Sequence, residues 1–487
     1  MVKNRYWLTL LLFAGAFAPE SAVGMAADAE YDVVIAGGTV IDPESGLEAV
    51  RQVGIVGGTI AAVTEEPLTA RRTIDATGLI VAPGFIDLHA HGQDLGNSRY
   101  QVADGVTSAL EMEVGVADID AFYAGRAGES LNHYGATIGH VPTRIRLYDD
   151  PTESLVPRGP GADRVATAEE IEAMAAAIRH GLERGAVGVG FGLQYTPAAT
   201  RDEVHAMFRA AADHGAACFV HIRHFGPKPP TSGINALEEV LSASAVTGAA
   251  LHVVHINSSG ASAAILMLRM IDDVRSRGFD VTTECYPYRA GMTAIDSALF
   301  AGNWREALGI DYGDLQWVAT GERLTEATYR KYREQGGAVI LFMNPQQVVD
   351  DVVNHPLTMI ASDGHFENGK GHPRTAGTYS KILRRYVREM KALTLAEAIR
   401  KMSLMPAQRL QSRVPGMQKK GRVQVGADAD LVVFDAATIT DRSTYEEPAQ
   451  YSTGMHYVLV GGTPVVDEGR LVEDQYPGQP IRAPYDE

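Results

Sequence analysis

The chain has 487 residues, 45% of them hydrophobic and 21% charged, a balance that supplies a large core and excludes a disordered or low-complexity protein. Its formal net charge of -17 argues against nucleic acid or an anionic membrane surface as a partner, because binding phosphate needs a positive field. Two cysteines, Cys218 and Cys285, cannot build a disulfide framework and form no CxxC pair, so both are read as reduced core residues.

Residues 1–27 have the pattern of a secretory signal peptide: Lys3 and Arg5 precede an apolar run from Trp7 to Ala18, followed by Pro19 and small residues through Ala27. The run is short for a membrane span, and no later segment reaches the roughly 20 apolar residues that one requires. The expectation is export, with the bacterial periplasm as destination and no stable membrane insertion after cleavage. Residues 28–80 carry short β-rich stretches, YDVVIAGG, QVGIVGG and TIAAVTEE, punctuated by glycine pairs. The same texture returns in 416–487 as ADLVVFDA and YVLVGGTPVV, so the two ends are expected to combine into one small β-domain.

Between them, residues 81–415 alternate short apolar strands with helical segments. The strand candidates are GFIDLHAH, SALEMEVG, ATIGHV, AVGVGFG, CFVHIR, ALHVVHIN, DVTTECYPY and TMIASDG, which predict a (β/α)8 barrel of the TIM type with its chemistry at the strands' C-terminal ends. Helix starts are marked by the capping boxes Thr167 with Glu170, Thr200 with Glu203 and Thr394 with Glu397, and the first two helices are stopped by Gly185 and Gly215. The alternation breaks at 293–354, read as an insertion near the last strand that covers the barrel mouth.

His89 and His91 are two apart on a strand, so both face one side and can share a metal. Two further strands end in histidine, His221 and His255, and the eighth ends in Asp363. Four histidines and a carboxylate delivered to one rim fit a binuclear metal site. Glu111 and Glu113 share a face of the second strand, and either can bridge two cations; Glu113, nearer the strand's C-terminal end, is the preferred bridge. His252 faces the opposite side of its strand from His255, and His224 is out of phase with His221. His133, His180, His205, His214 and His365 are assigned to solvated helices or loops, and His140 is left open.

With these residues in place, the chain resembles the amidohydrolase superfamily, and within it the D-aminoacylase or N-acyl-D-amino-acid deacylase branch. The resemblance spans nearly all of the chain after the signal segment. It rests on APGFIDLHAHG, GADADLVVFD and VLVGGTPVV, and more narrowly on GLQYTP, ECYPY, SDG and GHPRTAGTYSKILRRYVRE at 371–389. It implies one or two zinc ions, or other divalent metals, with His89, His91 and Asp363 at one position and His221 and His255 at the other. It further implies hydrolysis by activated water, with Asp363 shuttling the proton, Tyr195 steadying the oxyanion, and Arg374 binding the substrate carboxylate. Tyr286 belongs to the same carboxylate pocket.

Three departures bear on that carry-over. The position where this branch places a metal-ligating cysteine is Val114, so the neighbouring Glu113 takes over or one metal is held. Strand four, AVGVGFG, has no lysine, which disfavours the dihydropyrimidinase, dihydroorotase and isoaspartyl dipeptidase branches. An expected HxK is His255-Ile256-Asn257, and an expected serine is Met292, leaving Tyr286 and Arg374, with Arg289 as a stand-in, to hold the substrate's anionic end. The expected substrate is a small N-acyl-D-amino acid or a peptide containing D-residues. Another amide or lactone, and a non-catalytic binding role, are the alternatives.

Overall fold

The computed structural model describes residues 31–152, 155–226 and 231–485, so the signal-peptide reading of 1–27 lies outside the described residues. Eight parallel strands form the barrel in chain order: Phe85–Asp87, Val106–Val116, His133–Gly139, Gly188–Gly192, Ala217–His221, Ala250–Val253, Val281–Cys285 and Thr358–Ile360. Each coincides with one of the eight apolar runs. Parallel strands packed on both faces bury nearly every residue, which is why they read as continuous apolar stretches.

The first and eighth strands are tied together past their regular ends. Asp363 N donates to His89 O at 2.7 Å, His91 N to Gly364 O at 3.1 Å, and Asp87 Oδ1 accepts from both His89 N and Ser362 N at 3.0 Å. These bonds bring the two ends of the strand order onto one rim. Below that rim the interior is apolar: Ile86, Leu88, Leu110, Met112, Phe219 and Met359 pack as one layer. Phe85, one residue out of phase with Ile86, packs instead into the helix-facing core, as strand alternation requires.

The chain ends meet in a nine-stranded sheet, where Leu431–Phe434 pairs antiparallel with Ile80–Pro83 and thereby joins the C-terminal strands to Tyr31–Asp42 and Leu47–Val56. The last described segment then leaves this sheet and crosses beneath the barrel. Gly478 N bonds to Ser130 O, Ile481 N to Tyr134 O and Ala483 N to Gly185 O, and the Ile481 and Ala483 side chains join the lower interior layer.

The boxes at Thr167 and Thr394 are reciprocal, as expected. At Thr200 only half forms: its side chain accepts from Glu203 N, but the Glu203 carboxylate is committed to the buried His140 and Arg144. Gly185 and Gly215 end their helices at φ of 85° and 61°, a conformation that costs glycine little.

The insertion builds its own three-stranded sheet from Gly291–Ala294, Ala338–Leu341 and Leu315–Trp317, packed over an aromatic cluster that includes Phe300, Trp304, Tyr329 and Tyr332. This layer begins at Gly291. The helix Gln346–Asn354, read from sequence as part of the insertion, buries Val349, Val352 and Val353 in the barrel core and is a barrel element. Among the described residues no helix is long and apolar enough to cross a membrane.

Candidate metal centre

Four histidine rings from three strand ends converge on Glu113. Its Oε2 lies 3.2 Å from His89 Nε2 and 3.1 Å from His91 Nε2, while its Oε1 lies 2.5 Å from His221 Nδ1 and 3.1 Å from His255 Nε2. Asp363 Oδ1 closes the first group at 3.4 Å from both His89 Nε2 and His91 Nε2. The ligand-type atoms of His89, His91, Glu113 and Asp363 lie within 4.8 Å of one another, as do those of Glu113, His221 and His255.

Local backbone geometry makes this convergence possible. The second strand shifts register against the third between Glu111 and Val116, and Gly190 of the fourth strand faces that bulge, where a Cβ would stand 2.5 Å from Glu113 O. Only glycine permits that approach. His255 and Asp363 hold φ of 33° and 54°, a strained conformation for side-chain-bearing residues that the surrounding hydrogen bonds must maintain.

Partners behind the cluster fix the rings. Glu111 Oε2 is 2.7 Å from His91 Nδ1, and its Oε1 accepts from Val114 N and Gly115 N, so Glu111 orients His91 rather than lying between the two histidine groups. Glu284 Oε1 is 2.8 Å from His89 Nδ1 and also accepts from His255 N at 2.9 Å, bracing one ring from each group. Burial disfavours charge on His89 and His91, yet Asp363, Glu113 and Glu284 around the first, and Glu111 with Asp363 and Glu113 around the second, push both pKa values well up. Burial also acts against the Glu113 and Asp363 carboxylates. The positive field of His89 and His221 on the former, and of Arg374 and His89 on the latter, outweighs it and holds both well below the usual carboxylate range. The pocket therefore carries a surplus of negative charge that a cation can satisfy. His221 presents Nδ1 to Glu113 Oε1 and to His255 Nε2, 3.1 Å away, while its buried Nε2 has no partner. Two ring nitrogens 3.1 Å apart, His89 Nε2 and His91 Nε2, are likewise placed to share one cation.

Beside the cluster, Tyr195 is buried with its ring 4.9 Å from that of His221, and its hydroxyl accepts from Thr293 Oγ1 at 3.1 Å. Arg374 is buried with its guanidinium 4.7 Å over the Tyr286 ring and Nη1 2.8 Å from Asp363 Oδ2. Asn257 is buried and donates to Tyr286 O at 3.2 Å. Arg289 is exposed, outside this buried group, and Met292 pairs within the insertion's sheet.

The profile of the amidohydrolase family matches residues 72–276 and 262–466. The chain belongs to the amidohydrolase family. It is similar to an N-acyl-D-glutamate deacylase of Alcaligenes xylosoxydans xylosoxydans, 32% identical over 486 residues that cover 90% of this chain and 94% of the relative. It is also similar to a D-aminoacylase of the same organism, 30% identical over 471 residues, 90% of this chain and 95% of the relative. Among solved structures, N-acyl-D-glutamate deacylase from Bordetella bronchiseptica, complexed with zinc and a phosphonate mimic of the tetrahedral intermediate, matches with a TM-score of 0.80 at 28% identity. That match covers 93% of this chain and 100% of the other.

The remaining histidines of this amidohydrolase separate by burial. His252 faces away from the cluster, as expected, with Nδ1 2.8 Å from Thr282 Oγ1, and burial pushes its pKa down to about 3. His180 is exposed, and His205, His214 and His224 are half-buried. Two expectations of solvated roles fail. His133 is buried between Asp430 and Gln479 N, because the C-terminal segment crosses over it. His365 is half-buried, its ring 6.2 Å from that of His91, because the bond from Asp363 N to His89 O folds this loop over the rim. His140, left open by the sequence, is buried at 2.6 Å from Glu203 Oε1.

Sequence reasoning missed Glu284 and His372. Glu284 stood in the quoted ECYPY motif, but its partner His89 is 195 positions away and leaves no local signal. His372 donates from Nε2 to Ala290 O and accepts from Arg374 N at Nδ1, so it fixes the backbone that carries the arginine.

Proposed function

We propose that this chain is a metal-dependent hydrolase that cleaves the amide bond of N-acyl-D-amino acids, or of peptides containing D-amino acids, using zinc or another divalent cation. The observation that carries the reading is Glu113, whose two oxygens each face a separate pair of histidines, with Asp363 completing one group. His89, His91 and Asp363 would hold one cation, His221 and His255 a second, and Glu113 would bridge them. The names of the deacylase and D-aminoacylase relatives supply the substrate class.

A bound divalent cation supplies Lewis acidity, lowering the pKa of a water and polarising a carbonyl. The chain's own residues do the rest. Asp363 presents Oδ1 to the cluster while Arg374 holds Oδ2, so Oδ1 is the atom that takes a proton from the attacking water and returns it to the departing amine. Tyr195 is kept neutral by burial, and because its oxygen accepts from Thr293, its own proton is free to bond the oxyanion. Arg374, stacked on Tyr286, binds the carboxyl end of the substrate.

The test is the initial rate of metal-quantified protein on matched N-acyl-D- and N-acyl-L-amino acids. A metal-dependent preference for the D series is expected. Loaded metal with no activity on any D derivative would overturn the reading and direct the search to other amides and lactones. The 1–27 pattern supports export to the periplasm, and sequencing the N-terminus of protein from a periplasmic fraction tests it: a start near 22–28 is expected.

A further inference from the structure

Asn257 is fully buried, and only half of its side-chain amide is engaged. Nδ2 donates to Tyr286 O at 3.2 Å, while Oδ1 is buried without a partner. A backbone carbonyl can only accept, so the amide cannot be turned round: nitrogen must face Tyr286, and the open atom is an acceptor. Asn344 repeats the pattern beside it. Its Nδ2 donates to Ser258 Oγ at 3.3 Å, Ser258 shares a hydrogen bond with the Tyr286 hydroxyl, and Asn344 Oδ1 is buried and unpartnered. A donor at the same tyrosine is Arg374, over the Tyr286 ring and with Nε unpartnered. Around Tyr286 the chain thus sets one open acceptor of fixed orientation, Asn257 Oδ1, and one cation, Arg374.

A buried polar atom left without a partner is costly unless a ligand satisfies it, so such atoms indicate what the ligand must offer. A free carboxylate offers acceptors alone. It pairs with Arg374 but leaves Asn257 Oδ1 empty and sets like partial charges against each other. An amide group offers both kinds of atom, a carbonyl oxygen for the guanidinium and an N–H for the asparagine oxygen.

Resting on the hydrolase reading above, we propose that Asn257 sets the substrate class: the carboxyl end of the N-acyl-D-residue is amide-linked, as a carboxamide or a further peptide unit. Its N–H donates to Asn257 Oδ1. The hydrolysed bond is unchanged; what is recognised is the group on the far side of the D-residue.

The experiment compares kcat/KM of the metal-loaded protein on N-acetyl-D-leucine, N-acetyl-D-asparagine and N-acetyl-D-glutamate, each as the free acid and as the α-carboxamide. The carboxamides are expected to be preferred by about tenfold or more, since a site built to bond an N–H rejects the analogue lacking it. Asn257→Leu, similar in size and without the acceptor, is expected to bring the ratio near one by raising KM for the carboxamides. Preference for the free acids, or a ratio unchanged in Asn257→Leu, overturns the proposal. If neither series is hydrolysed, the hydrolase reading fails separately, and calorimetric binding of D-leucinamide against D-leucine decides the proposal: tighter amide binding sustains it, and equal or tighter binding of the acid overturns it. The wild-type comparison stands without any variant, and Asn257→Ala replaces Asn257→Leu if the latter does not fold.

Discussion

Glu113 and Glu111 sit two residues apart on one strand face, and their neighbours give them different tasks. Glu113 faces both histidine groups, whereas Glu111 is 2.7 Å from the Nδ1 of His91. Removing the charge from the partner behind a ligating ring costs about 10 to 100-fold in metal affinity or activity, so Glu284→Gln should lose that much. Glu113→Gln should lose more, with metal content falling at both positions. Metal quantification by mass spectrometry alongside rates checks both; full metal content in Glu113→Gln would remove it from the site. Lys401 is a structural counterpart, buried and donating from Nζ to His355 O, Thr358 O and Thr358 Oγ1. Lys401→Met leaves those oxygens without a donor and should cost about 1.5–3 kcal/mol in denaturant unfolding. At this scale the HxH pair was legible because strand alternation puts i and i+2 on one side. The choice between Glu111 and Glu113 rests on the register shift after Glu111, within which Glu113 falls, and alternation alone cannot make it.

Helix starts were legible because a capping box is local, needing only a threonine and a glutamate three residues on. Its failure at Thr200 has a tertiary cause: Glu203 is drawn away by Arg144 Nη1 at 2.6 Å and His140 Nε2 at 2.6 Å, all three side chains being buried. This group joins the helices His140–Leu147 and Arg201–Asp213. Glu203→Gln leaves a buried arginine without its countercharge and should cost about 3–5 kcal/mol, against about 1 kcal/mol for Thr394→Ala, which removes only a cap. Unfolding curves compare the two; equal costs would mean the buried group is not what holds these helices. The break in strand spacing hides the register of the helix Gln346–Asn354 and places it with the insertion, yet its valines pack with the barrel.

Across the whole molecule the two ends of the barrel serve different purposes. Metal-ligand candidates occupy the C-terminal rim, and the opposite end is closed by Leu110, Met112, Phe219 and the returning Ile481 and Ala483. Ile481→Ala should therefore cost about 2–5 kcal/mol of stability while leaving hydrolysis rates at low temperature unchanged. Loss of activity without loss of stability would contradict that separation. Chelation acts at the other end: a cation that binds only the folded chain raises its stability by mass action, so stripping the metal should lower the Tm, and restoring it should recover the value.

The order of residues along the chain is enough to give the alternation of elements, the eight barrel strands, the joining of both chain ends in one sheet, and the histidines and carboxylates placed at strand ends. These follow from periodicity and from residue types whose preferences act over a few positions. The tertiary structure alone decided which carboxylate stands between the histidine groups, that Glu284 braces His89 and His255, that His133 and His365 are drawn inward, and that Asn257 keeps an open acceptor. Each of those depends on a partner many residues distant, brought near only when the barrel closes, and no local pattern encodes such a distance.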